Sequence, residues 1–145
     1  MSTKDLRALE RHFFEECNKG KAAAMAVTDE TCASNIVFHD PSGRDIRGLR
    51  GFKQSLSEMF EAFPDIHITI DDLITEADKA VIRYTMTGTH KGPRMGIPTT
   101  NKKVTLSIIV IDRVAGGKFV ECWERFDTLG FMQQLGVVPK SGKGK

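Results

Sequence analysis

The chain has 145 residues and a formal net charge of only +2, which predicts one globular domain large enough to bury a core and a small pocket. Its basic residues are scattered apart from lysines near the C-terminus, so the composition argues against nucleic-acid binding. No stretch approaches the apolar length of a membrane span and the N-terminus lacks a secretory signal, so we expect a cytoplasmic protein. Cys17, Cys32 and Cys122 lack the paired spacing of a zinc or redox motif, and we expect reduced thiols.

The first part of the chain is predicted to be mainly helical. Apolar residues at helical spacing over residues 6–17 indicate an amphipathic helix that stops at Gly20, and the run KAAAMAV predicts a second, short helix. A brief strand at 36–38 leads into His39, Asp40 and a turn at 41–43. Helical spacing returns at 48–63 and ends before Pro64, so three helices precede any long strand.

After Pro64 the apolar pattern changes to period two, which predicts three long strands within residues 66–71, 80–87 and 104–113. A tight hairpin joins the first two, and a longer loop rich in glycine and proline joins the second and third. A turn at 115–117 leads into a fourth strand, and residues 129–135 predict a final helical turn. We expect residues 1–138 to form a single domain and residues 139–145 to be a disordered tail.

Helices followed by an antiparallel meander predict an α+β fold, in which a cone-shaped curved sheet wraps around the N-terminal helices. Such a sheet leaves a conical cavity at one end, lined by the first helix, the 48–63 helix and the inward face of the last strands. Ile108 and Val110 are apolar on one face of their strand, and Ile109 and Ile111 are apolar on the other. A second copy of the chain is therefore expected to cover the outer face, as a homodimer.

The residue that most needs an explanation is Glu124, in the last predicted strand. Read with period two, this strand places Phe119, Glu121, Trp123, Arg125 and Asp127 on one face, and Val120, Cys122, Glu124 and Phe126 on the other. An ionised carboxylate among apolar neighbours costs several kcal/mol unless it is paired, protonated or placed for a ligand. The residues leave two interpretations open: an acid/base group in a pocket, or a structural carboxylate paired with Arg83 or Arg113.

Two motifs carry a resemblance to a known family. The chain contains Gly88-Thr89-His90 with Gly92, Gly96, Pro98 and Thr100, and it ends with Trp123, Asp127, Gly130, Gln134, Leu135 and Gly136. With the stretches around them, these motifs resemble the SnoaL-like polyketide cyclase, or ester cyclase, family of the nuclear-transport-factor-two-like superfamily. The resemblance spans nearly the whole chain, from Leu6 to Pro139.

The resemblance implies an intramolecular aldol closure without metal or cofactor, in which a carboxylate on the last strand is the general acid/base. The carboxylate falls at Glu124, where the family has an aspartate, and the family's assisting histidine falls at Val110. Cys17 and Ser55 fall at positions that shape the substrate cavity. The implied ligand is a small apolar molecule that contains a carbonyl group.

Because Val110 cannot stabilise an oxyanion, that role would pass to another donor, and His39, His90, Arg83 and Tyr84 are the candidates. The alternative is a structural role for each residue: His90 holds its loop by hydrogen bonds, His39 orders a turn, and Asp127 caps the final helix. The predicted pocket set is Cys17, Ser55, Met59, Tyr84, Val110, Cys122 and Phe126. Three functions stay open: an enzyme, a small-molecule binding module, or a dimerisation domain with a filled cavity.

Overall fold

The computed structural model describes residues 1–139, and its helices follow the predicted order. They are α1 (Thr3–Cys17), α2 (Lys21–Thr31), α3 (Leu49–Ala62) and α4 (Thr128–Gln134). The strands are β1 (Cys32–His39), β2 (Asp45–Arg47), β3 (His67–Glu76), β4 (Lys79–Thr89), β5 (Lys103–Ala115) and β6 (Lys118–Phe126). Apart from Pro139, the predicted disordered tail lies outside the described residues.

Helix α1 begins at a capping box and buries one stripe of residues against the sheet. Ser2 accepts a hydrogen bond from the Asp5 amide at 3.1 Å, and the Asp5 side chain accepts one from the Ser2 amide, which forms a capping box. The buried stripe consists of Leu6, Glu10, Phe14 and Cys17, at spacings of three and four residues. A carboxyl group therefore lies among the apolar residues that α1 packs against the sheet.

The six strands form one sheet in the order β2-β1-β6-β5-β4-β3. Strands β3 to β6 are the predicted antiparallel meander, whereas β1 lies parallel to β6, so the sheet is mixed. The prediction of a brief strand at 36–38 was too short, and β2 was not predicted. The start of β1, CASN, lacks the branched and aromatic residues typical of strands, and of these four residues only Cys32 pairs with β6.

A β-bulge in β6 changes the predicted orientation of one residue. Arg113 pairs with Glu121 and Val114 pairs with Phe119, which leaves Val120 as the extra residue. Phe119 therefore faces the interior, with only 3% of its surface exposed, rather than sharing the outer face with Glu121. The strict period-two reading was wrong at this position because a bulge reverses the alternation.

The helices pack against the concave face of the sheet, and within residues 1–139 the alternate residues of β5 on the opposite face are mostly exposed, which confirms the predicted α+β fold class. The buried cluster includes residues of all four helices and of β1, β3, β4, β5 and β6, and the partly buried Ile46 of β2 packs against it. On the outer face, Ile74, Ile109 and Ile111 are exposed by 60%, 48% and 36%. No helix within residues 1–139 is long and apolar enough to cross a membrane.

Candidate functional site

A cavity of about 400 Å³ lies between the helices and the concave face of the sheet. Its walls are mostly aromatic and apolar, and they include Phe13, Phe14, Phe38, Phe52 and Phe119. All seven residues of the predicted pocket set also line it. One end is polar; we call this end the polar rim, and it consists of Asp40, Ser42, Arg44, Glu58 and Arg94. A space of this size and composition suits an organic molecule with a few polar groups.

Glu124 projects into this cavity from β6, directly opposite Val110 on β5. Neither predicted arginine partner reaches it. Arg83 forms an ion pair with Asp72 at 2.7 Å, and Arg113 forms one with Glu121 at 3.1 Å. The interpretation of Glu124 as a structural partner of Arg83 or Arg113 is therefore wrong, because both guanidinium groups are held by other carboxylates.

Burial raises the pKa of Glu124 to about 7, an effect that the charge of Arg94 and a hydrogen bond from Tyr84 only partly oppose. The phenol oxygen of Tyr84 donates to Glu124 Oε1 over a long 3.4 Å. The carboxyl is thus close to half-protonated at neutral pH. A group in this condition can accept a proton at one stage of a reaction and return it at a later one.

Tyr84 is the one predicted donor that lines the cavity. Its ring lies 4.9 Å from the ring of Phe14, and burial raises the pKa of its phenol well above the usual value, so the hydroxyl keeps its proton. The phenol can therefore donate a hydrogen bond to Glu124 or to a ligand oxygen beside it. The alternation of β4 had already placed Tyr84 on one face with Ile82 and Met86, and all three are buried.

His39 lies outside the cavity, on the far side of the sheet. Its ring nitrogens are 2.7 Å from Asp45 and 2.8 Å from Glu121, and the ring stacks on Trp123. Hydrogen bonds with Glu121 and then Asp45 raise the pKa of His39. The structure thus corrects the prediction that His39 assists Glu124, since two carboxylates hold its imidazole on the outer face.

His90 and Arg83 are also placed away from Glu124. His90 is fully buried, accepts a hydrogen bond from the Thr100 amide at 3.2 Å, and packs against Phe63. These contacts hold the loop between β4 and β5, which is the structural role that the sequence analysis gave as the alternative for His90. Arg83 is held by acidic residues of β3, so neither residue is positioned to assist Glu124, and both assignments as donors are corrected.

Several charged residues near the cavity were not singled out from the sequence, and Arg94, Glu10 and Asp112 are the ones that bear on its chemistry. Arg94 comes from the loop between β4 and β5, where nothing in the local pattern reports its direction. Glu10 comes from the buried stripe of α1, and Asp112 comes from the inward face of β5. Helical spacing did contain a signal for Glu10, and the alternation Ile108, Val110, Asp112 contained one for Asp112.

Glu10 and Asp112 form a buried pair of carboxyl groups beside the cavity. Their exposed fractions are 0% and 6%, and no donor within residues 1–139 satisfies either oxygen of Glu10. Burial, together with the neighbouring Asp112, raises the pKa of Glu10 to about 12, and burial also raises the pKa of Asp112. Two ionised carboxylates buried side by side would repel each other, so Glu10 keeps its proton at neutral pH.

Two further acidic residues, Asp40 and Asp127, have structural partners. Burial opposes the effect, but hydrogen bonds from Ser42 and Arg44 lower the pKa of Asp40. Asp127 caps α4 by accepting from the Gly130 amide at 2.9 Å, as predicted.

All three cysteines are free and buried, and burial raises their thiol pKa values, so the thiols are unreactive. The described chain holds no group of three or more metal-ligating side chains arranged for a metal ion.

Fold and cavity together define an α+β protein with an acid-bearing apolar chamber. Residues 8–135 match the model of the SnoaL-like polyketide cyclase family, and the chain belongs to that family. A comparison with curated proteins gives no match.

Several solved structures are similar over nearly the whole chain. TsrD from Streptomyces laurentii is 28% identical, with a TM-score of 0.84 and coverage of 95% of this chain and 99% of that one. Wild-type IdmH, a putative polyketide cyclase from Streptomyces antibioticus, is 25% identical, with a TM-score of 0.76 and coverage of 90% and 98%. A putative polyketide cyclase from Bacillus cereus ATCC 10987 is 28% identical, with a TM-score of 0.74 and coverage of 95% and 87%.

Proposed function

We propose that this protein is a cofactor-independent cyclase or isomerase that moves a proton on a small apolar carbonyl compound, with Glu124 as general acid and base. The observation that carries the proposal is the placement of Glu124 in a chamber of about 400 Å³ without an arginine partner. Family membership supports a cyclase-type reaction. The chamber's volume favours a ligand over a filled dimerisation core.

The reaction begins when ionised Glu124 removes a proton from a carbon next to a ketone or ester. The enolate oxygen that forms takes a hydrogen bond from Tyr84, whose hydroxyl already points at Glu124. The enolate carbon then attacks a second carbonyl of the same molecule, and protonated Glu124 returns its proton to the new alkoxide. Val110 stands opposite Glu124 and provides no polar group, so Tyr84 is the donor we assign to the oxyanion.

Ring opening of nitrobenzisoxazole tests proton abstraction without knowledge of the natural substrate, because the reaction requires only a base in an apolar cavity. We expect catalysis by the wild type to rise as the pH rises through about 7, where Glu124 ionises. Glu124→Gln should lower the rate roughly a hundredfold or more, in line with general acid/base catalysis.

Glu76→Gln is the matched control, because it removes the same charge from an exposed residue of β3 that does not line the cavity. Its rate should stay within about twofold of the wild-type rate. Full activity in Glu124→Gln would contradict the proposal. Retained binding of apolar ligands without turnover in the wild type would favour the binding module instead.

We further propose a homodimer of this single domain, formed through the outer face of the sheet. The exposed side chains of Ile74, Ile109 and Ile111 support a protein partner there, since they lie on the same face of the sheet on β3 and β5, the two strands that flank β4. Sedimentation velocity at micromolar concentration should give a dimer, and Ile109→Lys should shift it to a monomer. A monomeric wild type would refute this assignment.

A further inference from the structure

Arg94 is a charged group at the cavity that the proposed mechanism does not use. It lies in the loop of residues 90–102, which is fastened to the rest of the fold at several points. The Gly92 amide donates to the Ala62 carbonyl at the end of α3, and a Cβ at Gly92 would lie only 2.6 Å from the Glu61 carbonyl oxygen. This segment of the loop therefore sits directly on α3.

The loop also has internal bonds that set the position of Arg94. Arg94 and Ile97 exchange backbone hydrogen bonds of 3.0 and 2.8 Å, and Ile97 is buried. The His90 ring accepts from the Thr100 amide and thereby joins the two ends of the loop. Because these bonds restrain the backbone on both sides of Arg94, its side chain is presented to the cavity from a defined position.

The guanidinium of Arg94 forms no ion pair or hydrogen bond with another side chain of residues 1–139. Other arginines close to carboxylates are engaged: Arg44 pairs with Asp40 at 2.8 Å, and Arg83 and Arg113 have the partners described above. Arg94 is half-buried and lines the cavity, so its unpaired donors face the space that a ligand would fill.

Nearby acidic residues offset only part of the free-energy cost of burying the charge of Arg94. Burial lowers the pKa of its guanidinium, and the nearby acids Glu124, Glu58 and Asp40 oppose this effect without cancelling it. Asp40 is already bound by Arg44, and Glu124 is partly protonated at neutral pH. A desolvated guanidinium presents a planar set of donors that matches the two oxygens of a carboxylate.

We propose that Arg94 binds a carboxylate of the substrate at the polar rim while the apolar part of the substrate fills the chamber. The substrate class is accordingly an apolar carbonyl compound that carries one carboxylate. This assignment of the reacting carbonyl rests on the proposed function above. The assignment of the carboxylate to Arg94 concerns binding alone and is tested separately.

A matched pair of probes, naphthylacetic acid and naphthylacetamide, separates charge from shape. Their dissociation constants can be measured by NMR on protein with ¹³C-labelled methionine methyl groups, since Met59 and Met95 line the cavity and report where the probe binds. The wild type should bind the acid roughly tenfold or more tightly than the amide, the range of a hydrogen bond to a charged group. In Arg94→Gln this ratio should fall to about one, with amide affinity unchanged within about twofold.

Lys91→Gln is the matched control, because it removes a positive charge from an exposed position of the same loop. It should keep the acid-to-amide ratio, and Arg94→Lys should keep part of it. An unchanged ratio in Arg94→Gln, or an equal loss in Lys91→Gln, would overturn the proposal. Loss of nitrobenzisoxazole turnover in Glu124→Gln tests the proposed function, whereas the acid-to-amide ratio tests the carboxylate site at Arg94. Either proposal can therefore fail while the other holds.

Discussion

The buried pair of Glu10 and Asp112 predicts that the protein loses stability as the pH rises. The unfolded chain releases the Glu10 proton near its ordinary pKa of 4.5, whereas the folded chain keeps it up to a pKa of about 12. Between these values the folded state binds one more proton than the unfolded state. The free energy of unfolding therefore falls with pH, and the stabilisation by this group is complete only below the unfolded pKa.

The expected change in the free energy of unfolding with pH follows from this difference of one proton. Each pH unit costs about 1.4 kcal/mol, so raising the pH from about 5.5 to about 8.5 should lower the free energy of unfolding by about 4 kcal/mol. This is a large part of the 5–15 kcal/mol typical of a domain. Glu10→Gln removes the titrating group and keeps a donor toward Asp112, so the variant should lose this dependence on pH.

Urea denaturation followed by circular dichroism at a series of pH values measures the effect, because urea adds no charge and extrapolates linearly. Glu124→Gln is the comparison variant. The pKa of Glu124 is raised only to about 7, so its contribution to the slope should vanish above that pH while the contribution of Glu10 continues. Equal pH slopes for wild type and Glu10→Gln would refute the retention of a proton by buried Glu10.

Three further changes test the surroundings of the site. Tyr84→Phe removes the hydrogen bond that lowers the pKa of Glu124, so an NMR titration should give a higher pKa for that carboxyl, and an unchanged value would argue against the contact. Gly92→Ala should cost about 1–3 kcal/mol of stability, because the new methyl group meets backbone at 2.6 Å; a neutral effect in urea denaturation would show that the loop lies elsewhere. Asp127→Ala should cost about 1 kcal/mol by loss of the α4 cap, and Asp127→Asn should retain most of it.

Local pattern explains why the helices and the meander could be predicted. The stripe of α1 and the alternation of β4 each repeat over several turns or residue pairs, and burial of one face enforces the repeat. The same pattern failed at Phe119, because a bulge at Val120 reversed the alternation. It also missed most of β1, whose first residues have weak strand preference and of which only Cys32 pairs with β6, a strand more than 80 residues away.

The candidate donors show the limit of reasoning from residue type. His39, His90 and Arg83 were chosen because imidazole and guanidinium groups can stabilise an oxyanion, yet each has partners elsewhere. Tyr84 differs from them in lying on the buried face of a central strand. The alternation of the strand therefore predicted which donor lines the cavity, whereas the chemical type of the side chain did not.

By itself, the sequence determined the α+β class, the family and the inward position of Glu124, because each is encoded in a local period or a motif. Tertiary structure alone decided that Glu124 meets Tyr84, that Glu10 meets Asp112, and that Arg94 stays unpaired. These residues are far apart in the chain, and their protonation depends on burial and neighbouring charge at the place where the strands, α1 and the loop converge.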